Sequence, residues 1–184
     1  MKTKYINKRI DYTGKELHSH FAYKHFDIMG ESLVAFSGGC EVKIGDLVDL
    51  ADVKEKAGIY SEDMLHFIGE FFDHDLDRTI LRQRLLIAII KDVVAELSGC
   101  PVVRRGDDIY EGEDKLSVSI ATLTPVSGII HTGINISSKN TPVPTKGLKD
   151  YGIETQAFAK TVLDRFAKEM EDVNVARCKV RGVS

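Results

Sequence analysis

Three strand-like runs, "CPVVRR", "KLSVSIATL" and "SGIIHTGINIS", follow one another in the second half of the chain with no helix between them. Each is short and rich in β-branched residues, and the acidic "YEGED" between the first two reads as a hairpin turn around Gly112. Strands joined by short turns pair antiparallel, whereas parallel neighbours need a long crossover. A long helix precedes this block. In "DLDRTILRQRLLIAIIKDVVAELSG", Asp75 or Asp77 can cap the start and Gly99 ends it. Ile80, Leu81, Leu85, Ile89, Val93 and Leu97 recur at helical spacing. A second amphipathic helix, "IETQAFAKTVLDRFAKEME", follows the block. Strands and helices do not alternate regularly, so the order predicts an α+β fold: a mostly antiparallel sheet with helices packed on one face.

The remaining segments fit that scheme. "TGKELHSHFAYKHFDIMG" reads as a helix opened by a Thr13–Glu16 capping box and ended by Gly30. "SLVAF" is a strand that runs into a loop, "SGGCEV". "GDLVDLADVKEKAG" is weakly helical, and "DMLHFIGEFF" is a strand dense in aromatic residues. "NTPVPTKG" is a proline-broken loop, and the tail "NVARCKVRGVS" can add a strand. A chain of 184 residues suits a single domain spanning 1–184.

Composition narrows the function. With 43% apolar residues the chain can fill a core, and a net charge of −3 does not suggest a protein that coats nucleic acid or an anionic membrane, although a local basic patch is compatible with that total. The longest apolar run, Leu85 to Ile90, falls far short of the roughly 18 residues of a membrane span. The start, "MKTKYINKRIDYTG", carries positive charge with no apolar stretch behind it, so no secretory signal is read. Cys40, Cys100 and Cys178 stand far apart without a CxxC pair, which fits a reducing, cytoplasmic setting rather than disulfides or a zinc ribbon. His18, His20 and His25 include no pair four apart, so they form no helical metal pair.

"RRGDDIYEGEDKLSVSIAT", residues 104 to 122, gathers both signs of charge around two turns. A hairpin would return Lys115 toward Asp108. Lysine and arginine could then hold an anionic ligand, with a carboxylate available for Mg²⁺. A merely solvated hairpin is the competing reading.

From Arg104 to Ile136 the chain resembles the central block of biotin protein ligases and lipoate ligases. "RRGDDIY" answers to the family's Lys-x-x-Asn-Asp turn, "DKLSVSIA" to its lysine strand, and "IIHTGINIS" to its Gly-hydrophobic-Asn strand. "SGGCEV" stands where the family has a glycine-rich ligand loop. More closely, the chain looks like an uncharacterised, mainly archaeal family of the same fold, which also includes class II aminoacyl-tRNA synthetase cores.

The resemblance implies ATP-dependent activation of a small carboxylic acid through an acyl-adenylate, with ATP and Mg²⁺ as cofactors and an acceptor protein. It makes Lys115 the residue at the acyl carbonyl and α-phosphate, and Asp108 the aspartate beside the adenylate or its Mg²⁺. Ser37, Gly38, Gly39, Arg104, Arg105, Asp107, His131, Gly133 and Asn135 become ligand-binding candidates, and a homodimer is compatible. Departures favour an alternative, a non-catalytic small-molecule or nucleotide binding module on the same fold. The Gly-Arg-Gly-Arg-Arg-Gly loop is absent, Ala35-Phe36 replaces an Arg-Arg pair, and Asp107 replaces an asparagine. Cys40, beside the glycines, is a candidate acyl acceptor or a buried structural thiol.

Overall fold

The computed structural model describes residues 1–56 and 58–183. In chain order the strands and helices are β1 (Lys2–Ile6), α1 (Phe21–Phe26), β2 (Ser32–Val42), α2 (Leu50–Glu55), β3 (Ile59–Phe71), α3 (Leu76–Ser98), β4 (Val103–Arg105), β5 (Asp108–Glu111), β6 (Asp114–Lys115), β7 (Ser117–Leu123), β8 (Gly128–Asn135) and α4 (Thr155–Lys179). The main sheet has five strands in the order β1-β2-β3-β8-β7, and β4-β5-β6 form a small second sheet. All pairings are antiparallel except β1 with β2. The architecture is α+β, as the element order predicts.

The main sheet buries both faces. Leu33, Ala35, Leu65, Phe67, Ile130 and Ile134 meet Leu86, Ile90 and Val94 of α3 and Phe158, Val162 and Phe166 of α4. Side chains one residue out of step, Val34, Phe36, Met64, Ile68 and Ile129, face the other way and pack with Tyr12 and with Phe21 and Ala22 of α1. The long helices thus share one face, while the short α1 covers part of the opposite one.

Several elements differ from the sequence reading. The Thr13–Glu16 capping bonds form, with the Thr13 N–H donating to Glu16 Oε2 at 2.7 Å, but no helix follows them. Gly14 turns to φ +91°, outside the helical range, and helix α1 starts only after His20. "SGGCEV" is not a loop: β2 continues through it, with a bulge between Gly38 and Cys40. Serine and glycine are weak strand formers, but pairing with β3 carries the ladder across them. Among the described residues the tail forms no strand; α4 continues to Lys179, because extending a helix needs no new nucleus or partner.

Helix α3 begins and ends where expected. Asp75 accepts the Arg78 N–H at 2.9 Å, and Gly99 closes the helix in the left-handed region. Its buried face differs: Thr79, Gln83, Leu86, Ile87, Ile90, Val93 and Val94 are buried, while Leu81 and Leu97 are exposed. From Leu85 to Ile90 every residue is apolar, so spacing does not single out one stripe, and two polar members disguise the buried one.

Candidate functional site

Two tight turns build the charged corner. Gly106 and Gly112, both at positive φ, reverse the chain between β4 and β5 and between β5 and β6. Lys115 and Asp108 are thereby brought together, with Lys115 Nζ 2.7 Å from Asp108 Oδ2. Ser117 Oγ donates to Asp108 Oδ1 at 3.1 Å and accepts the Ile109 N–H at 2.9 Å, which fixes the aspartate rotamer. The Lys115 backbone is held by the proline loop: its N–H donates to the Pro144 carbonyl at 3.0 Å, and its carbonyl accepts the Lys146 N–H at 3.2 Å. That role of the loop was not legible in its composition.

Both members of the pair are half-buried. Burial works against the Lys115 charge, but the Asp108 carboxylate beside it outweighs burial and holds the ammonium above its ordinary range. Burial pushes the Asp108 carboxyl up, although the lysine opposes this. A partly buried ion pair of this kind costs desolvation and is specific in geometry.

Lys115, Asp107 and Asp108 line a cavity of about 270 Å³. Met64 of β3 and His131 and Asn135 of β8 also line it, along with Tyr12 and Cys40. Its outer wall is the stretch around the 3₁₀ turn Ile44–Asp46 and α2, together with Thr141 to Thr145. The segment before Tyr12 runs beside the β2 bulge, with Ile10 N–H donating to the Ser37 carbonyl at 3.0 Å and Tyr12 N–H to Gly39 at 2.9 Å. This lays the Tyr12 ring flat on His131, with centroids 3.6 Å apart. Behind it, His131 Nε2 and His66 Nδ1 lie 3.0 Å apart. Burial pushes both imidazoles down, His66 to about 4, so the pair is neutral at pH 7.

The other candidates divide. Asn135 joins the site, its amide donating to the Lys115 carbonyl at 3.4 Å. Asp107 is there too, accepting from Gln83 at 3.2 Å and lying 3.5 Å from Arg84. Ser37, Gly38 and Gly39 are not among the cavity-lining residues. A Cβ on Gly38 would stand 1.8 Å from the Ile10 carbonyl, and the Gly39 N–H donates to Asp11 at 2.8 Å, so the chain itself approaches their backbone. Gly133 lies behind the lining; a Cβ there would strike Met64. Arg104 and Arg105 are exposed, Arg104 donating to the Gly106 carbonyl and Arg105 pairing with Glu113 at 3.0 Å. Cys40 lines the cavity, but burial pushes its thiol up to about 12, so it stays protonated at neutral pH. Tyr12, Gln83 and the wall residues Asp46, Asp49 and Asp52 had no sequence signal; only the tertiary fold brings them here.

A family model described as "Domain of unknown function (DUF366)" matches residues 1–181. The chain belongs to that family. Among DUF366 relatives, the uncharacterized protein MJ0805 of Methanocaldococcus jannaschii is 41% identical over 176 residues, covering 92% of this chain and 79% of its own. A solved structure described as a protein of unknown function from Pyrococcus horikoshi superposes with a TM-score of 0.91 at 38% identity, over 99% of this chain and 100% of that one. The DUF366 fold is also similar to the biotin protein ligase of Aquifex aeolicus in complex with biotin and ATP, with a TM-score of 0.60 at 16% identity. That likeness spans 92% of this chain and 70% of the ligase, and it is a likeness of fold. No helix among the described residues is long and apolar enough to cross a membrane.

Proposed function

We propose that the cavity binds a small carboxylic acid and activates it with ATP, forming an acyl-adenylate and releasing pyrophosphate. The observation that carries this reading is the Lys115–Asp108 pair on the wall of a cavity sized for a small molecule. Carboxylate and triphosphate repel each other, so a cation held between them lowers the barrier to attack at the α-phosphorus. In this reading Lys115 is that cation; its ion pair with Asp108, itself held by Ser117, supports the assignment by orienting the ammonium. The ligase fold, in a relative that holds biotin and ATP, supports the same chemistry.

Among the described residues no group of three or more His, Cys, Asp or Glu side chains could hold a metal ion alone. Mg²⁺ commonly uses one or two carboxylates and completes its shell with phosphate oxygens and water. Asp107 and Asp108 suit that arrangement, and the ion would neutralise phosphate charge. ATP–pyrophosphate exchange over a panel of small acids tests the reading. We expect exchange with some acids and its loss, at least about a hundredfold, in Lys115→Ala with the fold retained. No exchange with any acid sinks it.

One observation favours a second reading, a binding module without turnover. Arg104 and Arg105 are tied to the hairpin itself, which leaves Lys115 as the only lysine or arginine lining the cavity among the described residues. This reading predicts a ligand-induced rise in melting temperature with no exchange.

A further inference from the structure

The charges on the cavity wall do not balance. Its lining includes Asp46, Asp49, Asp52, Asp107 and Asp108, against Lys115 alone. Lys115 is already paired with Asp108, and Asp107 meets Gln83 and Arg84. Asp46, Asp49 and Asp52, on the 3₁₀ turn and helix α2, have no cationic partner among the described residues. Burial and the charge of Asp49 push the Asp52 carboxyl up; Lys115 opposes them, and Glu55 and Asp107 add smaller repulsions. Three carboxylates with no ion pair of their own, beside one hollow, repel one another and attract a positive guest.

A second observation, independent of charge, shows that the hollow is built for a polar guest. Tyr12 is 4% exposed and lines the cavity, yet its hydroxyl has no hydrogen-bond partner among the described residues. Asn135, 5% exposed, spends its amide on the Lys115 carbonyl and leaves its side-chain oxygen without one. Buried polar groups are normally satisfied, so unpartnered ones facing a cavity mark where a ligand bonds. The lining also includes the apolar side chains of Val42, Met64 and Val118, which suit a short hydrocarbon spacer.

We infer that the guest is a small acid carrying an amine remote from its carboxylate. The carboxylate lies at Lys115, the spacer crosses the apolar wall, and the ammonium sits against Asp46, Asp49 and Asp52. This rests on the acid-activating reading for its carboxylate end. The amine end rests on the aspartate wall alone.

The test is calorimetric binding, without ATP, of straight-chain ω-amino acids. Each is compared with the unsubstituted acid of the same length and with the matching diamine. We expect the best amino acid to bind at least about tenfold more tightly than its unsubstituted partner. The preference should shrink toward unity in the double variant Asp49→Asn, Asp52→Asn. Asparagine is as good an N-cap as aspartate, so the bond from Asp49 to the Ala51 N–H of α2 survives the change. The preference should also weaken as salt rises.

Plain acids binding as well as amino acids throughout the series, or no amino acid binding, overturns the inference. Diamines binding more tightly than amino acids overturns its carboxylate half. Because ATP is absent, the two readings fail separately. An amino acid that binds but supports no pyrophosphate exchange removes adenylation and leaves this inference. Exchange confined to plain acids does the reverse.

Discussion

His66 and His131 are buried, 3.0 Å apart, and burial outweighs the charge of Asp11 that His66 feels. His66 Nε2 has no hydrogen-bond partner within bonding distance among the described residues. Burial carries the His66 pKa from the ordinary 6.5 to about 4, and that of His131 also downward. Their folded pKa values lie below the unfolded ones, so in the window between 6.5 and 4 the unfolded chain takes up protons that the folded chain refuses. Stability is therefore full above this window and falls as pH drops through it, with His66 alone accounting for on the order of 3 kcal/mol. Denaturant unfolding at a series of pH values should show that slope, and His66→Gln should flatten it. An unchanged slope in the variant would place the acid sensitivity in other groups. Gly38 acts at the same scale through space rather than charge. Alanine there would collide with the Ile10 carbonyl and lift the strip that seats Tyr12 on His131. Gly38→Ala should cost about 2 kcal/mol or more, whereas Gly45→Ala, with nothing near its Cβ, should be nearly neutral in thermal melts.

Helix α3 shows how far sequence reasoning reaches at the scale of an element. Its ends were legible because Asp75 and Gly99 are chemically suited to a cap and a stop, and both act so here. Its inward face was not, because the choice among adjacent apolar rows is made by the sheet beneath. Two polar residues sit in the chosen row. Thr79 donates to the Asp75 carbonyl at 2.7 Å, and Gln83 reaches Ser119 at 2.6 Å as well as Asp107. The same contrast marks the site. The hairpins that join Lys115 to Asp108 are local, and turn residues announce them. The partners that enclose them arrive from Tyr12, from the 44–55 segment and from the proline loop, whose spacing in the chain carries no signal. Leu86→Ala should cost about 2–5 kcal/mol, while Leu81→Lys, on the exposed side, should stay within about 0.5 kcal/mol. Equal losses by chemical denaturation would mean that the helix is packed by the other row.

Across the whole molecule the main sheet separates two environments. Strand β8 lies between β3 and β7, and its alternation sends Ile130 and Ile134 toward the long helices and His131 and Asn135 toward the cavity. Neighbouring positions along one strand thus answer to different demands. A saturation scan of residues 128–135, scored once for soluble yield and once for guest capture, should split into interleaved sets. Changes at 130 and 134 should deplete the yield, and changes at 135 the capture. Such a partition lets a lineage of proteins exchange what it holds while the load on its scaffold stays the same.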